Sequence, residues 1–175
     1  MKTAIIYATT EGQTRKIARF CADRLTDAGD SVELIRAEDA GDIDLSRFDG
    51  AILAASVHIM RYQKDLIEFA KAQAGALSGM RTLFLSVSLS AAGDDEEDWA
   101  GLRKCVDTFA AETGWTPGQV EHVAGAFKFS EYDFFRSWAM RWIAGQRGQK
   151  VGPDEDREYT DWDALGATLD AWRAG

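Results

Sequence analysis

Ala4-Ile5-Ile6-Tyr7-Ala8 runs directly into Thr9-Thr10-Glu11-Gly12-Gln13-Thr14, and the reading of this stretch decides the fold. Its first half is a continuous apolar run with no polar alternation, the pattern of a strand buried on both faces of a sheet. Its second half is polar, and after it the period changes. Ile17, Phe20, Cys21, Leu25 and Ala28 recur at helical spacing, Arg15, Lys16, Arg19, Asp23 and Arg24 fall between them, and Gly29 supplies a stop. Strand, loop and helix in that order open an α/β sheet.

The alternation continues outward from this unit. Gly29-Asp30-Ser31 forms a turn into a second strand at Val32-Glu33-Leu34-Ile35, and a polar connection from Glu38 to Asp49 leads to a third, Ala51 to Ala55. Leu66, Ile67, Phe69, Ala70 and Leu77 mark one helix ended by Ser78-Gly79, before a fourth strand, Thr82 to Val87. Leu102, Cys105, Val106, Phe109 and Ala110 give a helix closed by Gly114; Val120 to Phe127 is read as a fifth strand, and Asp161 as the cap of a last helix through Leu165, Leu169 and Trp172. Five apolar strands separated by amphipathic helices predict right-handed crossovers and a doubly wound, five-stranded parallel sheet of order 2-1-3-4-5. Residues 1–175 are read as one domain of the α/β class. Only the stretch from Lys128 to Tyr159 is too long for a simple connection.

Composition excludes several classes. With 46% hydrophobic and 28% charged residues the chain is neither disordered nor fibrous. Its formal charge of -9 repels phosphate backbones, so nucleic acid is not an expected partner. Cys21 and Cys105 lack CxxC spacing, and neither His58 nor His122 has neighbours at ligand spacing, so no metal and no disulfide framework are expected. The opening residues do not form a signal sequence, and no stretch reaches the roughly 20 apolar residues needed to cross a bilayer. The expected location is the cytoplasm, with room for peripheral contact at the inner face of the membrane.

The polar loop carries the chemistry. In an open parallel sheet, ligands bind beyond the carboxyl ends of the strands, where a helix N-terminus offers unpaired amide donors to an anion. Hydroxyls at Thr9, Thr10 and Thr14 add neutral donors, and Gly12 lets the backbone approach a phosphate closely. No Gly-Lys-Ser/Thr and no GxGxxG is present, so the loop suits one monophosphate rather than a triphosphate or a dinucleotide. Read without further context, it equally fits a strand-to-helix turn with capping threonines.

Residues 5–14 look like the FMN phosphate signature of flavodoxins. The whole chain resembles the flavodoxin-like, menaquinone-dependent protoporphyrinogen oxidases of bacterial haem synthesis. The resemblance is carried by Met1-Lys2-Thr3, Glu11-Gly12-Gln13-Thr14, Ala55-Ser56-Val57, Ser86-Val87, Ala124-Gly125-Ala126 and Tyr159-Thr160-Asp161-Trp162. It implies a flavodoxin-like fold in which Thr9, Thr10, Glu11, Gly12, Gln13 and Thr14 hold the phosphate of FMN. Ser56, Val57 and His58 on one loop, and Ser86, Val87, Ser88 and Leu89 on another, would flank the isoalloxazine ring. The implied reaction passes hydrogens from a porphyrinogen to a quinone. The flavin supplies the redox chemistry, and no side chain is assigned as catalytic.

Three features sit beside this expectation. Where the family tends to carry a basic loop, this chain has Asp94-Asp95-Glu96-Glu97-Asp98, which either repels an anionic substrate or forms a solvated helix N-terminus. His58 either faces the flavin or is a plain loop residue, and His122 reads as a packed residue of the fifth strand. Lys128 to Lys150 holds five bases against two acids together with Phe134, Phe135, Trp138 and Trp142. That segment suits anionic headgroups, a quinone or a carboxylated macrocycle, or else packs on the sheet edge. The main rival to the enzyme is a flavodoxin-like electron carrier with no substrate of its own; a regulatory domain without flavin is the third reading.

Overall fold

The interior of the molecule is set by strands whose alternate residues serve two different cores. In the computed structural model, which describes residues 1–127 and 157–175, β1 (Lys2–Ala8) lies between β2 (Ser31–Arg36) and β3 (Gly50–Ser56). β4 (Arg81–Ser88) and β5 (Gln119–Ala124) complete a five-stranded sheet of order β2-β1-β3-β4-β5, with every pair parallel. The expected order is therefore present.

Because side chains alternate across a strand, Ala4, Ile6 and Ala8 of β1 join Ala51, Leu53 and Ala55 of β3 and Phe84 of β4 on one face. Ile5, Tyr7, Ile52, Ala54, Leu83, Leu85 and Val87 point to the other. The second face is covered by α1 (Gln13–Asp27), through Ile17, Ala18, Cys21 and Leu25, and by the last helix, α5 (Trp162–Ala174), through Leu165, Leu169 and Trp172. The first is covered by α2 (Lys64–Ala72), α3 (Ala74–Ser78) and α4 (Glu96–Thr113). Cys21 and Cys105 lie in opposite cores.

Two element boundaries differ from expectation. The apolar pattern from Leu66 to Leu77 reads as one helix, but the chain breaks at Gln73, whose side chain donates to the carbonyl of Ile43 (3.3 Å). The fifth strand ends at Ala124 rather than Phe127. Gly125 donates its amide to Ser88, and the chain then turns so that β6 (Ala126–Phe127) pairs antiparallel with β7 (Arg157–Glu158). A continuous apolar run cannot reveal such a change of partner, because Ala126 and Phe127 are as apolar as Val123 and Ala124 before them. No described helix is long and apolar enough to cross a membrane.

The register aligns Ala8 with Ala55, Ser56 with Val87 and Ser88 with Ala124. The loops that follow β1, β3 and β4 therefore emerge side by side at one edge.

Candidate functional site

The first of these loops leaves α1 without a cap. α4 begins at Asp95, whose carboxylate accepts from the amides of Glu97 (2.9 Å) and Asp98 (3.1 Å), and α5 begins at Asp161, which accepts from Ala164 (2.9 Å). α1 begins at Gly12, which has no side chain to offer its first turn. Gly12 has φ +92°, a left-handed conformation that L side chains rarely adopt, and its amide closes a turn onto Thr9 Oγ1 (2.9 Å). Thr14, one residue into the first turn, is buried, and its hydroxyl has no hydrogen-bond partner among the described residues. A bare helix N-terminus beside an unpartnered buried hydroxyl fits the donor set of a bound phosphate. No carboxylate fills the role that Asp95 and Asp161 fill elsewhere.

Gln63 ties this loop to the next. Its side-chain amide donates to Thr10 Oγ1 (3.1 Å) and Ser56 Oγ (2.6 Å), while its buried Oε1 has no partner among the described residues. The loop after β3 is joined to β4 by the amide of Val57 on the carbonyl of Val87 (2.8 Å) and by the hydroxyls of Tyr62 and Ser86 (2.8 Å). Between them His58 and Arg61 exchange two backbone hydrogen bonds around a tight hairpin in which Ile59 and Met60 take φ of 48° and 60°. Both tip residues are exposed. Arg61 pairs with Glu112 and the Cys105 thiol donates to the carbonyl of Met60 (3.3 Å), so α4 holds the hairpin in place. Beyond β4, Ser88 accepts from the amide of Ala91 (3.2 Å) and Leu89 has turned to helical backbone.

The tail at residues 159–162 reaches the same place from the far end of the chain. Gln13 donates to Thr160 Oγ1 (2.9 Å) and to Glu158 (3.1 Å), and the Thr160 hydroxyl donates to the carbonyl of Ala124 (2.7 Å). Lys16 and the indole of Trp162 also converge on Glu158. Desolvation alone raises the Glu158 carboxyl, but the bonds from Lys16, Trp162 and Gln13 outweigh it and hold the group below its usual range.

The family model described as flavodoxin domain matches residues 4–152. The chain belongs to the flavodoxin domain family. Among relatives of this flavodoxin domain, the protoporphyrinogen IX dehydrogenase [quinone] of Escherichia coli strain K12 is 26% identical over 94% of this chain and 91% of its own length. The protein of that name from Leishmania major is 27% identical over 94% of this chain and 71% of its own. The resemblance read from the motifs is thus found along nearly the whole length. In fold, the chain matches a flavodoxin of Streptococcus pneumoniae TIGR4 at TM-score 0.59 with 19% identity, each chain covered to 99%. A Fusobacterium nucleatum flavodoxin mutant solved with flavin mononucleotide matches at TM-score 0.53 with 12% identity, covering 99% of this chain and 93% of its own.

Elsewhere in the flavodoxin domain, the acidic run Asp94 to Asp98 is the N-terminus of α4, with Asp95 as its cap and Glu96, Glu97 and Asp98 in its first turn. Partial burial, with the Asp95 and Glu97 charges beside it, raises the Asp98 carboxyl. His122 is half-buried in β5 with its ring edge-on to Trp99 (5.4 Å), and burial, with Arg103 nearby, lowers its pKa. This is the packed histidine expected. Gln63, Tyr62 and Thr160 are the joints between loops that motif reading left unassigned as binding residues. The basic aromatic segment at 128–150 lies outside the described residues.

Proposed function

We propose that this flavodoxin domain is an FMN-dependent oxidoreductase that takes hydrogens from a porphyrinogen and passes them to a quinone. The observation that carries the cofactor is the uncapped start of α1 with the buried, unpartnered Thr14 hydroxyl. The substrate and acceptor rest on the relatives named protoporphyrinogen IX dehydrogenase [quinone], similar along nearly the whole chain.

Thr9, Thr10 and Thr14 would hold the FMN phosphate through hydroxyls, with Glu11, Gly12 and Gln13 forming the loop that curls around it. Ser56, Val57 and His58, with Ser86, Val87, Ser88 and Leu89, would flank the ring. When bound, FMN supplies the acceptance and release of hydrogens that no side chain here provides. The chain's own part is to position. Gln63 fixes the spacing between the first two loops, and the Val57–Val87 and Tyr62–Ser86 bonds fix the second against the third. Tyr62 keeps its proton, since burial pushes its phenol well above the usual value. A quinone dissolved in a bilayer would bring the protein to the membrane surface.

The acidic surface favours one other reading, an electron carrier that docks basic partners. Anaerobic mixing of the oxidised FMN-loaded protein with porphyrinogen, in the presence of a soluble quinone as final acceptor, separates the two. Porphyrinogen oxidation coupled stoichiometrically to quinol formation supports the enzyme. Failure of porphyrinogen to react, with rapid electron exchange to a redox protein, supports the carrier.

A further inference from the structure

Two glutamines tie loops together at this edge of the sheet, and only one of the ties closes within the described residues. Gln13 donates to Thr160 Oγ1 (2.9 Å), and the Thr160 hydroxyl donates in turn to the carbonyl of Ala124 (2.7 Å). Gln63 uses its amide nitrogen twice, on Thr10 Oγ1 (3.1 Å) and on Ser56 Oγ (2.6 Å). There the series of bonds stops. Among the described residues neither of these two hydroxyls has an acceptor for its own proton. A hydroxyl that accepts from a fixed donor keeps one proton and turns it away from that donor. Thr10 is exposed and Ser56 half-buried, so both protons are left for a ligand where the loops after β1 and β3 emerge together.

The opposite setting of the amide would reverse this. Turned over about its last bond, Gln63 would present Oε1 to both hydroxyls and take their protons, leaving Thr10 and Ser56 to face a ligand with lone pairs alone. Either setting buries one end of the amide without a partner among the described residues, so what separates them is the ligand that the hydroxyls meet. A phosphate dianion offers acceptors only, and it is held in the first setting and not in the second. We propose that Gln63 is a positioning residue that fixes the polarity of both hydroxyls, so that Thr10 donates to the phosphate of FMN and Ser56 to an acceptor on its ring. The inference rests on the FMN site proposed above and adds a coupling to it, since one amide orients donors for the two ends of the cofactor. A spacer between loops is indifferent to the direction of these bonds; a positioning residue is not.

The test is titration of the cofactor-free protein with FMN and with riboflavin, which has the ring and no phosphate, followed by flavin fluorescence. Gln63→Met removes both bonds. Gln63→Glu keeps both and reverses them, because a carboxylate only accepts. FMN is expected to bind about tenfold more weakly to Gln63→Met than to the parent, and more weakly again to Gln63→Glu. Riboflavin should rank the two variants in the same order, because the reversal at Ser56 acts on the ring. Tighter binding of both flavins by Gln63→Glu than by Gln63→Met would make Gln63 a spacer and overturn the proposal. A deficit of Gln63→Glu against Gln63→Met for FMN but not for riboflavin would be charge repulsion of the phosphate, and overturns it too. In a Thr10→Val background, Gln63→Met should weaken FMN by a smaller factor than in the parent; an equal factor would show that Gln63 does not act through Thr10. Thr10 is exposed, so Thr10→Val keeps the test open should a Gln63 variant fail to fold. Alone it should weaken FMN more than riboflavin, and unchanged FMN affinity overturns the proposal. A parent that binds neither flavin overturns the proposed function and this inference with it, whereas every other adverse result leaves the FMN site standing.

Discussion

The hydroxyls of Tyr62 and Ser86 lie 2.8 Å apart in a buried pair that joins the loop after β3 to β4. The Tyr62 ring also stands edge-on to Phe84 (5.0 Å) and Phe109 (5.3 Å), which stack on each other with 9° between planes. The ring is thus core and its oxygen is a joint. Tyr62→Phe keeps the ring and leaves Ser86 Oγ buried without its partner, which should cost about 1–3 kcal/mol. Urea denaturation of the cofactor-free protein measures it, and a midpoint unchanged from the parent would mean that the hydroxyl pair contributes nothing.

Thr14→Val gives opposite signs for two measurements. The hydroxyl is buried and bonds to none of the described residues, so its removal should leave the cofactor-free protein as stable as before or up to about 1 kcal/mol more stable. FMN should bind about tenfold more weakly, if the hydroxyl donates to the phosphate. A variant that loses stability and keeps FMN affinity would place Thr14 in the scaffold alone.

The sequence expectation for Gly12 is that a β-branched residue blocks close approach to the phosphate. A Cβ built there meets none of the described residues within 4 Å, so among them the constraint is φ rather than space. Gly12→Val should therefore strain the loop by roughly 1–2 kcal/mol and weaken FMN, while Gly12→Asn, which tolerates the left-handed region, should retain most of the affinity. Similar FMN titrations for the two variants would show that φ is not what matters.

Asp30, nearly inaccessible, accepts from Arg173 on α5 (2.8 Å) and from the amino group of Met1 (2.7 Å). The hydrogen bond from Arg173, ahead of that from Met1 and against the cost of burial, holds its carboxyl below the usual aspartate value. A carboxyl depressed in the folded state binds protons more readily when unfolded. Its stabilisation is thus complete above the unfolded value of about 3.9 and is lost as pH falls through the folded value beneath it. Asp30→Asn should lose about 2 kcal/mol at neutral pH and show a flatter stability profile below pH 4. Chemical denaturation across that range checks the sign, and a profile parallel to the parent's would contradict it.

The strands were legible because Ala4 to Ala8 and Ala51 to Ala55 are unbroken apolar runs and Thr82 to Val87 carries only the small hydroxyls of Thr82 and Ser86 among apolar residues. Gly114 and Asp161 announced helix ends by their backbone and capping chemistry, and both act so. What stayed hidden depends on contacts distant in sequence. Gln63 and Tyr62 follow a loop and look like any start of a helix; only the parallel register that sets Ser56 beside Val87 reveals them as ties between loops. Thr160 likewise bonds Gln13 across 147 positions, a contact that the two motifs do not disclose when read separately.

The acidic run at the start of α4 separates a structural carboxylate from electrostatic ones. Asp95 caps the helix, so Asp95→Ala should cost about 1 kcal/mol irrespective of any substrate. Asp94, Glu96 and Glu97 are exposed, and they follow closely on the Ser88 and Leu89 loop proposed to flank the flavin. Their charges would oppose an anionic porphyrinogen approaching that edge. Changing these three to Asn and Gln, with Asp95 kept, should lower KM for porphyrinogen with little change in kcat, since repulsion acts on approach rather than on hydrogen transfer. The effect should be larger at 10 mM than at 1 M salt, because screening shortens from about 30 Å to about 3 Å over that range. A KM indifferent to both charge and salt would move the substrate path away from α4.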